Sequence, residues 1–473
     1  MRAAGKLPGI FLALAAALVA LAPWPLRASS NPHLGYTGFE NFYTLPYAND
    51  PGFGANPAPL DPKIQLSFSG NTLDVNLDTG SRALYVAIDA IAGGSISPAS
   101  ALFTGQVYLN SSARVYQGTW YQQTVSFPQA ISSNPSLPQA SASMPVLIVD
   151  TLSCSTTPPP GTSTAATTFS TLVESGTATL VGGAERAFSN HTLQLNGGEA
   201  VSYLQNPGLL APVSNFGVGF DRTGRGTSPN NNAHNQQYNA FLNLAAMADG
   251  SMLPGFIVQN DGVQLGLTSN TTGFAYTNLL PTGYGQPSPG IVPDWQAPTG
   301  TLVYGGTESG TGQVVVDIGI NSAILTLPGQ PQTGTATFTS ENSLTVHLLN
   351  STGAVSYVIN GEPDNFLDPT STSWFAPLPG DFSENQPPLQ DQFFNTGRNV
   401  ISAFDFLYDG LNGYAGLKPN GFEISAANIQ FAPGFYPNPV PEPRALPLAA
   451  AAAAALALWW LHSRRRRQRP VQK

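Results

Sequence analysis

The stretch Leu73-Asp74-Val75-Asn76-Leu77-Asp78-Thr79-Gly80-Ser81-Arg82-Ala83-Leu84-Tyr85-Val86 decides how the rest of this chain is interpreted. Apolar residues alternate before Asp78, at Leu73, Val75 and Leu77, which predicts a half-buried strand. Gly80 favours a sharp turn that a Cβ would hinder, and a second apolar run follows. The pattern predicts that the Asp78 carboxylate is held at the tip of a tight turn, from which a rigid scaffold can aim it into a cleft.

A second stretch has the same design. Between Gln313 and Leu325, an apolar strand runs into Asp317-Ile318-Gly319 and a further apolar run follows. Asp317 lies 239 residues after Asp78, a spacing that suits one such turn in each of two lobes.

The two aspartate stretches and their surroundings resemble the motifs of a known enzyme family. A strand, Asp-Thr-Gly-Ser, three residues and the aromatic Tyr85 resemble the first active-site motif of pepsin-like aspartic peptidases, which have Trp at the last position. The strands before Asp317 and the segments 216–220 and 397–417 resemble further parts of that family in the same order, so the resemblance covers roughly residues 60–435. It implies a two-lobed, all-β fold with few short helices, and a catalytic pair formed by Asp78 and Asp317. The supporting residues that it implies are Thr79, Gly80, Ser81, Gly319 and Tyr85.

The chemistry implied by the resemblance is hydrolysis of peptide bonds in an extended polypeptide. Two carboxylates in contact share one proton, so the pair supplies a general base for a bound water and a general acid for the scissile carbonyl. The pair titrates as a unit, and neither role is assigned to one aspartate. No cofactor is expected, and the five histidines show no metal-ligand spacing.

A flap over the cleft is the third expected part. In the family a hairpin with a Tyr near its tip closes over the substrate. Residues Arg114 to Tyr121 show strand-turn-strand character, and Tyr116 follows Asp78 by 38 residues. The flap and substrate-binding residues expected here are Tyr116, Gly118 and Thr119. The alternative is an ordinary hairpin with surface aromatic residues.

Departures from the family pattern fall around the second turn. Ile318 stands where the family has a Thr that bonds across the lobe interface, and Ile320 stands where it has a Ser or Thr beside the carboxylate. Before Gly397, where the family has an apolar pair, this chain has Asn395-Thr396. Two functions therefore stay open: an aspartic endopeptidase, or a weakened or inactive binding or matrix protein of the cell surface.

Both ends of the chain indicate export. Residues 1–28 have a basic start and a short apolar core typical of a secretory signal peptide, the alternative being a retained anchor. The tail 437–473 contains Pro441-Glu442-Pro443, an apolar run from Ala445 to Leu461, and Arg464 to Arg467. This order resembles the PEP-CTERM sorting signal of Gram-negative bacteria. It implies processing by an exosortase-type enzyme, membrane attachment through the apolar helix before processing, and a final place at the cell envelope or outside the cell. An ordinary tail anchor is the alternative.

The remaining body divides into an N-terminal extension (29–58), an N-terminal β lobe (59–258) and a C-terminal β lobe (259–436). Residues 29–440 contain eight Lys and Arg against 26 Asp and Glu, a formal charge of −18, which argues against a nucleic-acid partner. Short alternating apolar runs separated by turn residues predict an all-β structure. The best helix candidate runs from Tyr238 to Ala248.

Overall fold

The computed structural model describes residues 36–53, 60–91, 96–109, 114–154, 176–179, 185–188, 200–202, 213–219, 236–281, 292–327, 335–348, 355–361, 369, 372–374, 392–420 and 429–431. These residues are mostly β-strand with a few short helices, so the all-β prediction is confirmed. The signal segment 1–28 and the tail 437–473, with their predicted hydrophobic helices, lie outside the described residues. Within the described ranges, no helix is long and apolar enough to span a membrane.

The strands follow one another along the chain in short pieces. They are β1 (Tyr43–Pro46), β2 (Lys63–Phe68), β3 (Asn71–Asp78), β4 (Arg82–Ala87), β5 (Ala101–Leu109), β6 (Arg114–Ser126), β7 (Ile131–Ser132), β8 (Ser141–Cys154), β9 (Gly176–Thr179), β10 (Glu185–Phe188), β11 (Ala200–Ser202), β12 (Ser214–Val218), β13 (Leu253–Val258), β14 (Gly262–Leu267), β15 (Ala275–Asn278), β16 (Thr299–Tyr304), β17 (Thr307–Val315), β18 (Ala323–Thr326), β19 (Thr335–Ala336), β20 (Leu344–Leu348), β21 (Val355–Ile359), β22 (Thr372–Trp374), β23 (Phe393–Asn395), β24 (Phe404–Asp409), β25 (Tyr414–Pro419) and β26 (Ile429–Phe431).

The helices among the described residues are all short. They are α1 (Ala245–Ala248) and the 3-10 helices Ile88–Ala90, Pro98–Ser100, Gln236–Tyr238, Ala240–Leu242 and Arg398–Ser402.

Two large sheets repeat one arrangement of six strands. In the order β8-β4-β12-β3-β2-β6 of the first sheet and β22-β18-β23-β17-β16-β20 of the second, corresponding strands are neighbours. The directions agree as well: β12 runs parallel to β3 and β8 parallel to β4, just as β23 runs parallel to β17 and β22 parallel to β18. The two aspartate turns therefore occupy equivalent places, Asp78 at the end of β3 and Asp317 two residues after β17.

A third sheet, in the order β15-β25-β24-β13-β14-β1-β7, joins residues from the whole length of the body. β1, in the predicted N-terminal extension, pairs with β14, and β13 pairs with β24. The predicted lobe boundary at 258/259 falls between β13 and β14, which are antiparallel neighbours in this sheet. The described part of the extension, residues 36–53, is thus built into the fold, and the halves of the chain share a sheet.

The core confirms the predicted side-chain alternation. β2 buries Ile64, Leu66 and Phe68 and leaves the residues between them more accessible. A series of aromatic rings continues the core from the first sheet into the third, with centroid separations of 5.0–5.9 Å. Its members are Phe127, Phe216, Phe241, Phe256 and Tyr408.

The predicted helix from Tyr238 to Ala248 is wrong as one element, because the segment is divided into two 3-10 turns and the short α1. Its asparagines bond locally. The Asn239 side chain accepts from the Phe241 amide, and Asn243 Nδ2 donates to the carbonyls of Gln236 and Asn239. Leu244 then takes an extended conformation. Such local side-chain bonds compete with a continuous helix.

Candidate active site

Each aspartate is held by the backbone of its own turn. The Oδ1 atom of Asp78 accepts from the amides of Gly80 at 2.6 Å and Ser81 at 3.1 Å. The Oδ1 atom of Asp317 accepts from the Gly319 amide at 3.0 Å. Both side chains are nearly buried, with the two aspartates 9% and 7% exposed.

The two turns face each other. A Cβ added to Gly80 would overlap the carboxyl group of Asp317, and a Cβ added to Gly319 would overlap that of Asp78. Each carboxylate therefore lies against the glycine of the opposite turn, while its Oδ1 atom binds the glycine amide of its own turn. Any side chain at either position would push the two carboxyl groups apart. Glycine is therefore required at 80 and 319 because the opposite carboxyl group approaches the backbone so closely.

Thr79 joins the two turns directly. Its Oγ1 atom donates to the carbonyl of Val316 at 2.7 Å and accepts from the amide of Ile318 at 3.1 Å. The equivalent position in the second turn is Ile318, which is fully buried and belongs to the hydrophobic core. Ile318 has no hydroxyl and cannot form the equivalent bonds to the backbone of the first turn. Of these two equivalent side chains, Thr79 alone links the turns.

Two asparagines that were not predicted as site residues donate to the second oxygen of each aspartate. Asn215 Nδ2 donates to Asp78 Oδ2 at 3.2 Å and to the Ser81 hydroxyl at 2.8 Å. Asn395 Nδ2 donates to Asp317 Oδ2 at 2.6 Å. The signal that marks them in the sequence is Asn-x-Gly in each half, at 215–217 and 395–397.

The two predicted aromatic residues meet beside the first turn. Tyr85 on β4 and Tyr116 on β6 are both buried, and their ring centroids lie 4.8 Å apart. The ring planes are tilted by 32°, and the centroid separation is in the range of direct aromatic contact.

The turn predicted within Arg114 to Tyr121 is wrong, because β6 is one continuous strand. β6 pairs with β8 on one side along its length and with β5 on the other. A bulge between Gln117 and Gly118 replaces the expected turn, and a Cβ at Gly118 would overlap the Ile148 carbonyl.

Thr119, the third residue predicted for the flap, is half-buried on β6 and pairs with Thr104 and Ile148. The chain between β5 and β6, at 110–113, lies outside the described residues.

Buried arginines tie the turns to their surroundings. Arg82, directly after the first turn, donates through one nitrogen to both oxygens of Asp294 at 2.9 and 3.1 Å. Gln236 Nε2 donates to the same carboxylate at 2.6 Å.

A second buried arginine lies at the other turn. Arg398 donates to the carbonyl of Gly319 at 3.3 Å and forms an ion pair with Asp61. Each arginine thus links an aspartate turn to a segment from the other half of the chain.

Comparison with known proteins finds no family model that matches this chain, and no curated protein that matches it either.

Proposed function

We propose that this protein is an exported aspartic endopeptidase-like hydrolase of the pepsin-like class, with Asp78 and Asp317 as its catalytic pair. The observation that carries this proposal is the packing of each carboxylate against the glycine of the opposite turn. Two carboxyl groups that each lie against the opposite turn can act as a pair, one as general base and the other as general acid.

The catalytic step needs nothing beyond the pair and a water molecule. The ionised carboxylate takes a proton from the water as it attacks the scissile carbonyl, and the protonated carboxyl group donates to the carbonyl oxygen. When the tetrahedral intermediate collapses and the C–N bond breaks, the carboxyl group that took the proton from water passes it to the leaving nitrogen, and the other carboxylate takes back a proton from the hydroxyl that becomes part of the product carboxyl group. Thr79 contributes by holding the two turns in register, since its hydroxyl bonds to the backbone on both sides of Asp317.

The substrate is an extended polypeptide whose side chains contact Tyr116 and its neighbours on β6. Tyr116 on β6 packs on Tyr85, which lies seven residues beyond Asp78 on β4, the strand that leaves the first aspartate turn. Gly118 and Thr119 follow on the same strand. This arrangement supports a binding role for β6 as part of the sheet.

Export and surface sorting are part of the proposal. The signal-like segment 1–28 and the Pro-Glu-Pro, apolar and Arg-rich order of 437–473 support secretion and exosortase processing at a Gram-negative envelope. The acidic body suits an extracellular setting in which anionic partners are repelled.

The test is cleavage of an unfolded protein by the purified protein between about pH 3 and pH 7, where a shared-proton pair is active. We expect cleavage that is fastest at acidic pH and is blocked by an inhibitor mimicking the tetrahedral intermediate. Asp78→Asn and Asp317→Asn should each lower the rate about a thousandfold or more. Asp74→Asn, which changes an exposed carboxylate on β3, is the matched control.

Absence of cleavage at every pH would overturn the peptidase proposal. Ile318, which leaves the second turn without its reciprocal hydroxyl, would then favour the non-catalytic binding or matrix protein. Cleavage that survives Asp78→Asn would assign the activity to another site.

A further inference from the structure

Asn215 and Asn395 are equivalent residues of the structural repeat. Asn215 on β12 is in register with Asn76, two residues before Asp78, and with Tyr85 across β4. Asn395 on β23 is in register with Val315, two residues before Asp317, and with Ile324 across β18. Their side chains therefore reach the Oδ2 atom of the aspartate in their own half from the same direction.

The two halves differ in what accompanies the asparagine. Three residues after Asp78 stands Ser81, whose hydroxyl lies 2.8 Å from Asn215 Nδ2. Three residues after Asp317 stands Ile320, which offers no hydroxyl. The Asn395 bond is correspondingly the shorter one, 2.6 Å against 3.2 Å for Asn215 and Asp78.

The orientation of the Asn395 amide is fixed by its other end. Its Oδ1 atom accepts from the Gly397 amide at 3.0 Å, so the Nδ2 group must face Asp317. The residue is 5% exposed, and water has little access to compete for these bonds. With the Gly319 amide on Oδ1, both oxygens of Asp317 have a donor and the plane of the carboxylate is set.

We propose that Asn395 is a positioning residue for Asp317 that replaces the hydroxyl missing at Ile320. The inference rests on the proposed peptidase function. Asn215 does the same for Asp78, but its Nδ2 group is shared with the Ser81 hydroxyl, and the Ser81 amide also donates to Asp78. The second turn, which looks degraded in sequence, thus keeps a fixed carboxylate through a donor supplied by β23.

The test compares steady-state cleavage by the full protein and its Asn395→Leu variant, which has a similar volume and no donor. We expect kcat to fall about a hundredfold, the usual effect of removing one preorganised donor, with KM within about twofold because no substrate contact is lost. Adding Ile320→Ser to Asn395→Leu should restore at least about tenfold in kcat, since a hydroxyl then stands where Ser81 stands in the first turn.

The matched control is Asn215→Leu, which should lose less than about tenfold in kcat because the Ser81 hydroxyl, which accepts from Asn215 in the wild type, is then able to donate to Asp78. Combining Asn215→Leu with Ser81→Ala should bring the loss to that of Asn395→Leu. Asn395→Asp keeps the acceptor for the Gly397 amide and nearly the same shape. It should be slow at pH values where the new carboxyl group is ionised and cannot donate to Asp317, which separates the lost donor from a packing defect.

The outcomes distinguish the two proposals. An inactive wild-type protein overturns the proposed function and this inference with it. An active wild-type protein with unchanged kcat in Asn395→Leu overturns the inference alone. A slow Asn395→Leu variant that Ile320→Ser does not improve, or one equalled by Asn215→Leu, would also refute the replacement of a hydroxyl.

Discussion

Thr79 is the residue through which one turn holds the other. Its hydroxyl satisfies a carbonyl and an amide that flank Asp317, and all three groups are buried. A buried backbone group that loses its partner costs more than the bond contributed, because water cannot take its place. The register of the two acids therefore depends on one side chain.

Thr79→Val should lower the free energy of unfolding by about 2–4 kcal/mol, since it leaves a carbonyl and an amide without their partner. Thr79→Ser retains the hydroxyl and should cost only about 1 kcal/mol for the lost methyl group. Chemical unfolding followed by fluorescence measures both. A loss in Thr79→Val no larger than that in Thr79→Ser would show that the hydroxyl does not carry the link.

Asp409, at the end of β24, is a buried carboxylate away from the proposed catalytic pair. Burial raises the pKa of Asp409 above its ordinary value, while bonds from Asn412, Tyr36 and the Leu411 amide oppose the rise. Burial also raises the pKa of Tyr36, with Asp409 adding to the effect, so its phenol stays protonated and donates to Asp409 at 3.0 Å.

The raised pKa of Asp409 gives a signed prediction. The folded protein binds this proton more tightly than the unfolded chain, so the contribution is present below the unfolded pKa of about 3.9 and is lost as pH rises through the folded value. The contribution of Asp409 to the free energy of unfolding should therefore decrease over that window, and Asp409→Asn should remove this negative component from the slope of the free energy of unfolding against pH. Denaturant titrations at several pH values measure it, with the exposed Asp74→Asn as control. An unaltered slope in Asp409→Asn would contradict the assignment.

At the scale of elements, the pairing of β6 in the sheet determines the position of Tyr116 against Tyr85. The strand is held on both sides, so Tyr116 is fixed against Tyr85 by backbone pairing as well as by ring contact. Gly118 lies at the bulge, and a Cβ there would overlap the carbonyl of Ile148 on β8. The bulge shifts the register of β6 by one residue between Gln117 and Gly118.

Gly118→Ala should destabilise the protein by about 1–3 kcal/mol, because the new methyl group meets the Ile148 carbonyl and the strands must separate. Thr119→Ala on the same strand removes atoms and should cost less than about 1 kcal/mol. Thermal unfolding compares the two variants. A Gly118→Ala protein as stable as Thr119→Ala would show that β6 is not packed against β8 at this point.

At the scale of the whole molecule, the halves of the chain are joined by ion pairs as well as by the shared sheet. Arg82 and Asp294 are 3% and 1% exposed in their side chains, and they link the first turn to the segment that precedes β16. Removing one member of such a pair leaves a buried charge, whereas removing both leaves none.

Arg82→Met and Asp294→Leu should each destabilise the protein by about 3–5 kcal/mol, and the double variant should lose clearly less than the sum. Gln236, which donates to Asp294 in the wild type, is left unchanged in all three variants. Unfolding measurements on the four proteins of this cycle give the coupling energy. Additive losses would show that the pair contributes no linkage between the halves.

The sequence by itself determined the parts of this protein that depend on local pattern. Alternating apolar residues fixed strands such as β2, β3 and β20, because a strand with one buried face requires period 2. The Asp-x-Gly turns were also visible, since a carboxylate followed by glycine between two apolar runs is a local feature. The helix at 238–248 and the turn within 114–121 failed, because asparagine side chains and pairing with β8 overrode local propensity.

The tertiary structure decided what lies far apart in the chain. Asn395 reads as a departure from an apolar motif until β23 aligns it with Asp317, and Asn215 has no visible partner until β12 aligns with β3. The six-strand repeat is likewise a matter of pairing order, which side-chain pattern does not encode. The physical reason is that hydrogen bonds between distant segments depend on strand register and direction, and these are set only when the whole core is packed.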